Sequence, residues 1–157
     1  MTAPSDPRRR ITFDANILFY SGDDRDPEKR ALSAKLLGAA AERETGILTV
    51  QALGEFVNAA VRKALLDRRS AVAVARDWAA AFDVCAADAE AFDLALDWWA
   101  EERLPYWDAL LVATAAKAGA TACVSEDFND GAVYGGVEII NPFANAAAKR
   151  LAAHGLH

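Results

Sequence analysis

The sequence predicts a three-layer α/β/α domain in which a central parallel sheet of four to five strands lies between two layers of helices. Three observations carry that expectation. Short apolar or β-branched runs recur at Ile11 to Phe13, Ile47 to Val50, Phe82 to Cys85, Ala122 to Ser125 and Val137 to Ile140, each short enough for a buried strand. Between them lie segments of helical length, and strands joined by crossovers this long pair in parallel, with the helices on both faces. Finally, 157 residues that are 54% hydrophobic, with no repeat and no Ser/Gly linker, suit one core rather than two. Residues 11–157 are therefore read as a single domain, and residues 1–10, rich in Pro and Arg, as a flexible N-terminal extension.

The elements follow in order. Ile11 to Phe13 opens the sheet. Asp26 before Pro27 and Glu28 reads as an N-cap with proline in the first turn, starting a helix that carries Leu32, Leu36 and Leu37 on one face. After the second strand, the helix around Leu53 to Leu65 has an apolar stripe of Leu53, Phe56, Val57, Ala60 and Val61. Its polar stripe is Gln51, Glu55, Asn58 and Arg62. Ser70 and Asp88 are the expected caps of the next two helices. On the second of these, Trp99 shares a face with Phe92 and Leu96 and is expected in the core, with Trp98 turned aside toward an interface. Pro105 opens the last long helix and Gly119 closes it. His154 and His157, in the tail beyond Phe143, are expected to be solvated.

Composition narrows the function. Lys+Arg 17 against Asp+Glu 23 gives a net charge of −6 and the opposite of the basic face that a simple duplex-DNA binder needs, so any nucleic-acid role must be local. Cys85 and Cys123 form no CxxC pair and read as buried thiols, not as a disulfide or a zinc site. Neither a signal-peptide core nor a bilayer-spanning apolar run is present, which predicts a soluble, cytoplasmic protein with no membrane partner.

Parallel sheets build their sites at the carboxyl ends of the strands. The first strand runs directly into Asp14, and the fourth into Ser125, Glu126 and Asp127. Asp14 and Asp127 taken singly are equally well strand terminators or caps. Asp108 is the lone charge in the apolar run from Tyr106 to Ala116, where an ionised carboxylate costs several kcal/mol unless paired or metal-bound. Its plainer reading is a first-turn aspartate facing free amides. Glu55 alone is explained by a solvated helix face.

Together the four acids say more. Carboxylates about 5 Å apart repel by roughly 3 kcal/mol per pair at an effective dielectric of 20. A divalent cation relieves the repulsion, and oxygen ligands without histidine or thiolate select Mg2+, or Mn2+, over zinc. A phosphoacceptor domain, a haloacid-dehalogenase-like phosphatase and a calcium loop each fail on spacing. The first lacks an acidic pair after Phe13, the second stumbles on Asn16, and the third has Phe128 at a ligand position.

The phrases Phe13-Asp14-Ala15-Asn16, Leu53-Gly54-Glu55-Phe56, Trp107-Asp108-Ala109-Leu110 and Ser125-Glu126-Asp127-Phe128 occur in the order of the four acidic signatures of PIN-domain ribonucleases. From Ile11 to about Phe143 the chain resembles that family, and most closely the VapC type of toxin in bacterial toxin-antitoxin modules. The resemblance implies a PIN-like fold and a Mg2+-dependent endoribonuclease. Asp14, Asp108 and Asp127 would hold metal, Glu55 would complete the cluster, and Asn16 and Ser125 would steady the first and last carboxylates. Asp130 is a candidate fifth acid, although Asn129-Asp130-Gly131 is equally a turn.

The same resemblance implies an RNA substrate, a cognate antitoxin and a homodimer. Its alternative is a catalytically silent PIN-like protein that binds RNA or a partner. Basic groups available to an RNA backbone are Arg8 to Arg10, Arg62-Lys63 and Arg68-Arg69, and Trp98, Trp99 and Trp107 are available to stack bases.

Overall fold

A computed structural model describes residues 9–157. In chain order the elements are β1 (Arg10–Phe13), α1 (Ala15–Tyr20), α2 (Pro27–Glu42), β2 (Gly46–Thr49), α3 (Val50–Arg62), α4 (Arg68–Ala81) and β3 (Asp83–Cys85). They continue with α5 (Ala89–Ala100), α6 (Tyr106–Lys117), β4 (Ala120–Val124), β5 (Val133–Tyr134), β6 (Val137–Ile140) and α7 (Ala147–Ala153). The expected extension over 1–10 falls outside the described residues except at its end. There Arg10 belongs to β1 and pairs with Asp83.

The sheet has six strands in the order β3-β2-β1-β4-β6-β5, with every neighbouring pair parallel except β5 and β6. One more strand forms than expected, because Gly135 and Gly136, both at positive φ, turn β5 back onto β6 in a two-residue hairpin. The chain builds outward from β1 to β3 and then returns to lay β4 on the other side of β1. The switch point therefore falls between the central strands β1 and β4, where an open α/β sheet leaves a crevice at its carboxyl edge.

Helix starts follow local chemistry. Asp26, Asp67 and Asp88 cap α2, α4 and α5 by accepting from the amides of Lys29, Ser70 and Ala91. Ser70 is thus the recipient of the cap and not the cap, which sits three residues earlier. Thr49 caps α3 through the Ala52 amide, so Val50 begins that helix instead of ending β2. Asp14 caps α1, a short helix that carries no start signal in the sequence beyond that residue. Gly119, at φ +89, closes α6 as predicted.

The core lies on both faces of the sheet. Ile11, Phe13, Ile47, Leu48, Ile139 and Ile140 pack against Ile17, Leu36, Phe56, Leu111 and Val112 from the helices. On α3 the fully buried side chains are Ala52, Phe56 and Ala60, while Leu53, Val57 and Val61 are only partly covered.

The tryptophans reverse the sequence expectation. Trp98 is 5% exposed and packs on Tyr134, whereas Trp99 is 54% exposed. Helix α5 has two apolar stripes, and the one turned inward is Ala91, Ala95 and Trp98, whose alanines let α5 approach its neighbours closely; the bulkier Phe92 and Trp99 remain outside. His154 is likewise not solvated: its ring lies between Thr121 (3.1 Å) and Glu138 (2.9 Å), helping to fasten α7 to the sheet. Cys123 is buried in β4, while Cys85, on the edge strand, is only half-buried. Among the described residues no helix is long and apolar enough to cross a membrane.

Candidate metal centre

Asp14 is placed by β1 and by α1 at once. Its amide donates to Val124 O of β4 (3.0 Å), continuing the β1–β4 ladder, and its Oδ1 accepts from the Ala15 amide (2.8 Å) that opens α1. Both plain readings of this residue, strand terminator and cap, are therefore correct, and the other carboxylate oxygen is turned toward the loop after β4. Oδ2 accepts from Ser125 Oγ at 2.8 Å.

Ser125 follows β4, fixed by donation of its own amide to Ile140 O of β6 (3.0 Å), and its Oγ also accepts from the Asp127 amide (3.1 Å). Asn16, in the first turn of α1, donates from Nδ2 to Asp127 Oδ2 (3.0 Å) and reaches Asp14 Oδ2 at 3.4 Å. The two supporting residues named from sequence thus join the loops after β1 and β4 into one hydrogen-bonded unit. Carboxylates only accept, so the amide nitrogen of Asn16 must face them, and its buried Oδ1 has no partner.

Glu55 and Asp108 reach the same place from helices. Gln51 Nε2 donates both to Glu55 Oε1 (2.9 Å) and to Trp107 O (2.9 Å), tying the polar stripe of α3 to the first turn of α6. Asp14, Glu55, Asp108 and Asp127 all line one cleft of about 370 Å³, with Asn16, Tyr20, Asn58, Arg62 and Lys63.

Their mutual repulsion registers in the carboxyls that are least solvated. Burial pushes Asp14, which is 6% exposed, up to about 6 against the pull of Ser125 and Ala15, and the charges of Glu55 and Asp127 add to the rise. Burial also pushes Asp108 up to about 6, reinforced by Asp14, Glu55 and Asp127.

Asp130 does not join them. Its Oδ1 accepts from the Asn141 amide and from Arg150, both at 2.8 Å, which is the turn role that its sequence context also allowed. Glu126, to which the sequence assigned no role, is held by Tyr20 and Lys29, with Lys29 lying over the Tyr20 and Phe143 rings. It braces the loop that carries Ser125 and Asp127. Its sequence position beside Asp127 was the available signal, but Lys29 lies nearly a hundred residues away.

The basic groups divide. Arg62 and Lys63 line the acidic cleft, whereas Arg68 and Arg69 line separate grooves on α4. Arg9 and Arg10 lie at the amino end of β1, away from its carboxyl edge, and Arg8 is outside the described residues.

The donor chemistry fits a hard cation. Every group offered by the acids and by the orphaned Asn16 Oδ1 is an oxygen, and two carboxyls are raised by burial and like charge. Among the described residues no three acidic, histidine or cysteine side chains close into a ready-made ligand cage. Mg2+ needs none, since it keeps several waters and takes one or two carboxylates.

An oxygen-lined acidic cleft at the switch point of an α/β sheet defines the class, with its four acids drawn from separate loops and helices. The chain belongs to the PIN domain family, which it matches over residues 11–129. No curated protein matches it. Among solved structures it is similar to VapC20 of Mycobacterium tuberculosis, a toxin that cleaves the sarcin-ricin loop, with 21% identity and a TM-score of 0.60 over 77% of this chain and 90% of that one. It is also similar to a chain of a toxin-antitoxin complex from Klebsiella pneumoniae, with 18% identity and a TM-score of 0.59 over 85% of this chain and 98% of that one. At such identities these likenesses speak for the fold.

Proposed function

We propose that the protein is a divalent-metal-dependent endoribonuclease acting as the toxin of a toxin-antitoxin pair. The observation that carries this reading is the lining of a single cleft by Asp14, Glu55, Asp108 and Asp127, four acids drawn from β1, α3, α6 and the loop after β4. Asp14, Asp108 and Asp127 would hold Mg2+, or Mn2+. Bound there, the cation supplies charge to attract and stabilise a phosphodiester and lowers the pKa of an attacking water.

The chain's own groups do the placing. Ser125 and Asn16 hold Asp14 and Asp127 in fixed orientations by donating to them. Gln51 occupies one oxygen of Glu55, leaving the other to orient the attacking water. Burial of Asp14 beneath α1 keeps bulk water from the rear of the site.

An antitoxin is the partner that this reading requires. Supporting it, an apolar groove of about 660 Å³ between α3 and α4, lined by Leu53, Val57, Val61 and Val72, shares Asn58 and Arg62 with the acidic cleft. A helical or extended segment seated in that groove would bring a basic side chain onto the carboxylates. A second copy of the chain is the other expected partner, supported by the exposed rings of Phe92, Trp99 and Trp107.

The test is cleavage of RNA by the purified protein in Mg2+, with arrest in EDTA and loss in Asp14→Asn. Equal cleavage by that variant would assign the activity to a contaminant. RNA binding without cleavage under all metals would establish the catalytically silent alternative. Co-purification with the product of the neighbouring reading frame tests the toxin label separately.

A further inference from the structure

The cleft that gathers the acids is lined by two cations as well. Glu55, Asn58 and Arg62 lie on one face of α3 at spacings of three and four residues, and all three line the cleft. At 1.5 Å per residue the step from Glu55 to Arg62 is ~10 Å along the helix axis. Arg62 and Lys63 therefore line the cleft about two turns of α3 beyond Glu55, and the rings of Phe19 and Tyr20 line it too.

These two cations are not spent elsewhere. Arg10, Arg25, Arg30, Arg103 and Arg150 each face a carboxylate, and so do Lys29 and Lys117. Among the described residues Arg62 has neither an ion pair nor a hydrogen bond, and Lys63 forms no ion pair: it lies 5.0 Å from the Phe19 ring centre and acts on Asp23 only through its field. In a chain of net charge −6, a guanidinium and an ammonium outside any ion pair, lining an acidic cleft, mark where an anion is to be received.

We propose, resting on the nuclease reading, that Arg62 and Lys63 bind a second, non-reacting phosphate of the RNA. The site then engages a polynucleotide strand and not an isolated phosphodiester. A strand advances at least ~3.4 Å per nucleotide even when stacked. A guanidinium rooted ~10 Å along α3 from Glu55 consequently meets a phosphate within about three nucleotides of the scissile one. Binding that remote phosphate contributes to holding the reacting linkage over the carboxylates, where it would otherwise meet net repulsion.

The test uses full-length protein carrying Asp14→Asn, so that binding is read without cleavage, and a fluorescent single-stranded 12-nucleotide RNA in Mg2+ followed by anisotropy. Adding Arg62→Ala and Lys63→Ala should weaken binding roughly ten- to hundred-fold, and should lower the slope of log K against log salt by about 0.7, the contribution of the one single-strand phosphate that the pair neutralises. Arg62→Lys should recover most of the slope, because a point charge suffices for it.

Arg76→Glu shifts the net charge by the same two units on α4, outside the cleft, and should leave affinity within about two-fold. An unchanged slope in the Arg62/Lys63 variant, or an equal loss in the α4 control, would overturn the subsite. Failure of the wild-type protein to cut RNA would sink the nuclease reading instead, and the binding comparison reads out independently of that.

Discussion

Replacing Asp14 by Asn should stabilise the metal-free protein at alkaline pH while removing its proposed activity. The side chain is buried, and its carboxyl is raised from 3.8 to about 6. A tenfold change in proton affinity corresponds to about 1.4 kcal/mol, so ionised Asp14 costs the folded state on the order of 3 kcal/mol relative to its protonated form. Because the folded pKa lies above the unfolded one, the native state holds the extra proton between about pH 4 and 6. The group's destabilisation is therefore absent below about pH 4, grows as pH rises to about 6 and is constant above it.

Asparagine mimics the protonated acid. Its oxygen can still accept from Ala15, and its NH2 can donate to Ser125 Oγ or to a flipped Asn16, whose Oδ1 lacks a partner. In EDTA at pH 8 the variant should gain about 1–3 kcal/mol, equivalent to roughly 3–10 °C in Tm for a domain of this size. By pH 4 the two proteins should melt together, and Mg2+ should raise the Tm of wild type more than that of the variant. Urea or thermal denaturation by circular dichroism reads all three. A variant that is less stable at pH 8, or a difference that does not change with pH, would refute the account of a strained acidic pocket.

Other perturbations separate the structural roles. Gly46→Ala would set a methyl group 2.2 Å from the Phe82 ring, so we expect a loss of about 1–3 kcal/mol by urea denaturation, partly recovered by Phe82→Leu in the same chain. Trp98→Ala should cost about 3–5 kcal/mol, and Trp99→Ala, at an exposed position, should change monomer stability by less than about 0.5 kcal/mol. Glu138 is held below its ordinary value by His154 and Arg150 despite partial burial, so its contribution is present above pH 4.5 and is lost as pH falls through its lowered pKa. Glu138→Gln should remove that dependence and, at neutral pH, speed hydrogen exchange across α7.

Much of this fold was readable because its strands are buried on both sides and its caps are local. Ile11 to Phe13 and Val137 to Ile140 are mostly apolar and β-branched, broken only by Thr12 and Glu138, and Asp26 and Asp88 cap within three residues, so short windows contain the cause. Sequence and structure part where tertiary contact chooses between locally equal options. Either stripe of α5 was apolar enough to be core; the alanines won because helices pack closer on them than on Trp99. The hairpin strand β5 is only two residues long, and its signal was the glycine pair that follows it. His154 looked solvated because its partners, Thr121 and Glu138, lie on strands well upstream in the chain.

The acids show the same division. Their order along the chain was legible, whereas their separation from decoys was not. Asp127 belongs to the cleft and Asp130, three residues on, is bound to Arg150, a partner that no local window contains. Gln51 was visible as part of a polar stripe, yet its function depends on the Trp107 carbonyl.

Asp14 carries the deeper implication. As the cap of α1 it has one local task, and asparagine performs that task as well as aspartate does. A carboxylate at this buried position, with Glu55 and Asp127 near enough to raise it further, is thus disfavoured by burial and by its charged neighbours and favoured only by its donors Ser125, Ala15 and Asn16. Capping alone would be met at lower electrostatic cost by the amide, and the proposed function supplies the reason for the carboxylate: positive charge from outside the chain that completes the pocket. That positive charge has to be small and oxygen-seeking, because Asn16 and Ser125 already draw Asp14 and Asp127 together from one side. A basic side chain of a partner can meet the same demand, which makes metal loading and partner binding competitors for one set of oxygens. Titrating divalent cation against partner should therefore show each lowering the apparent affinity of the other by the same factor.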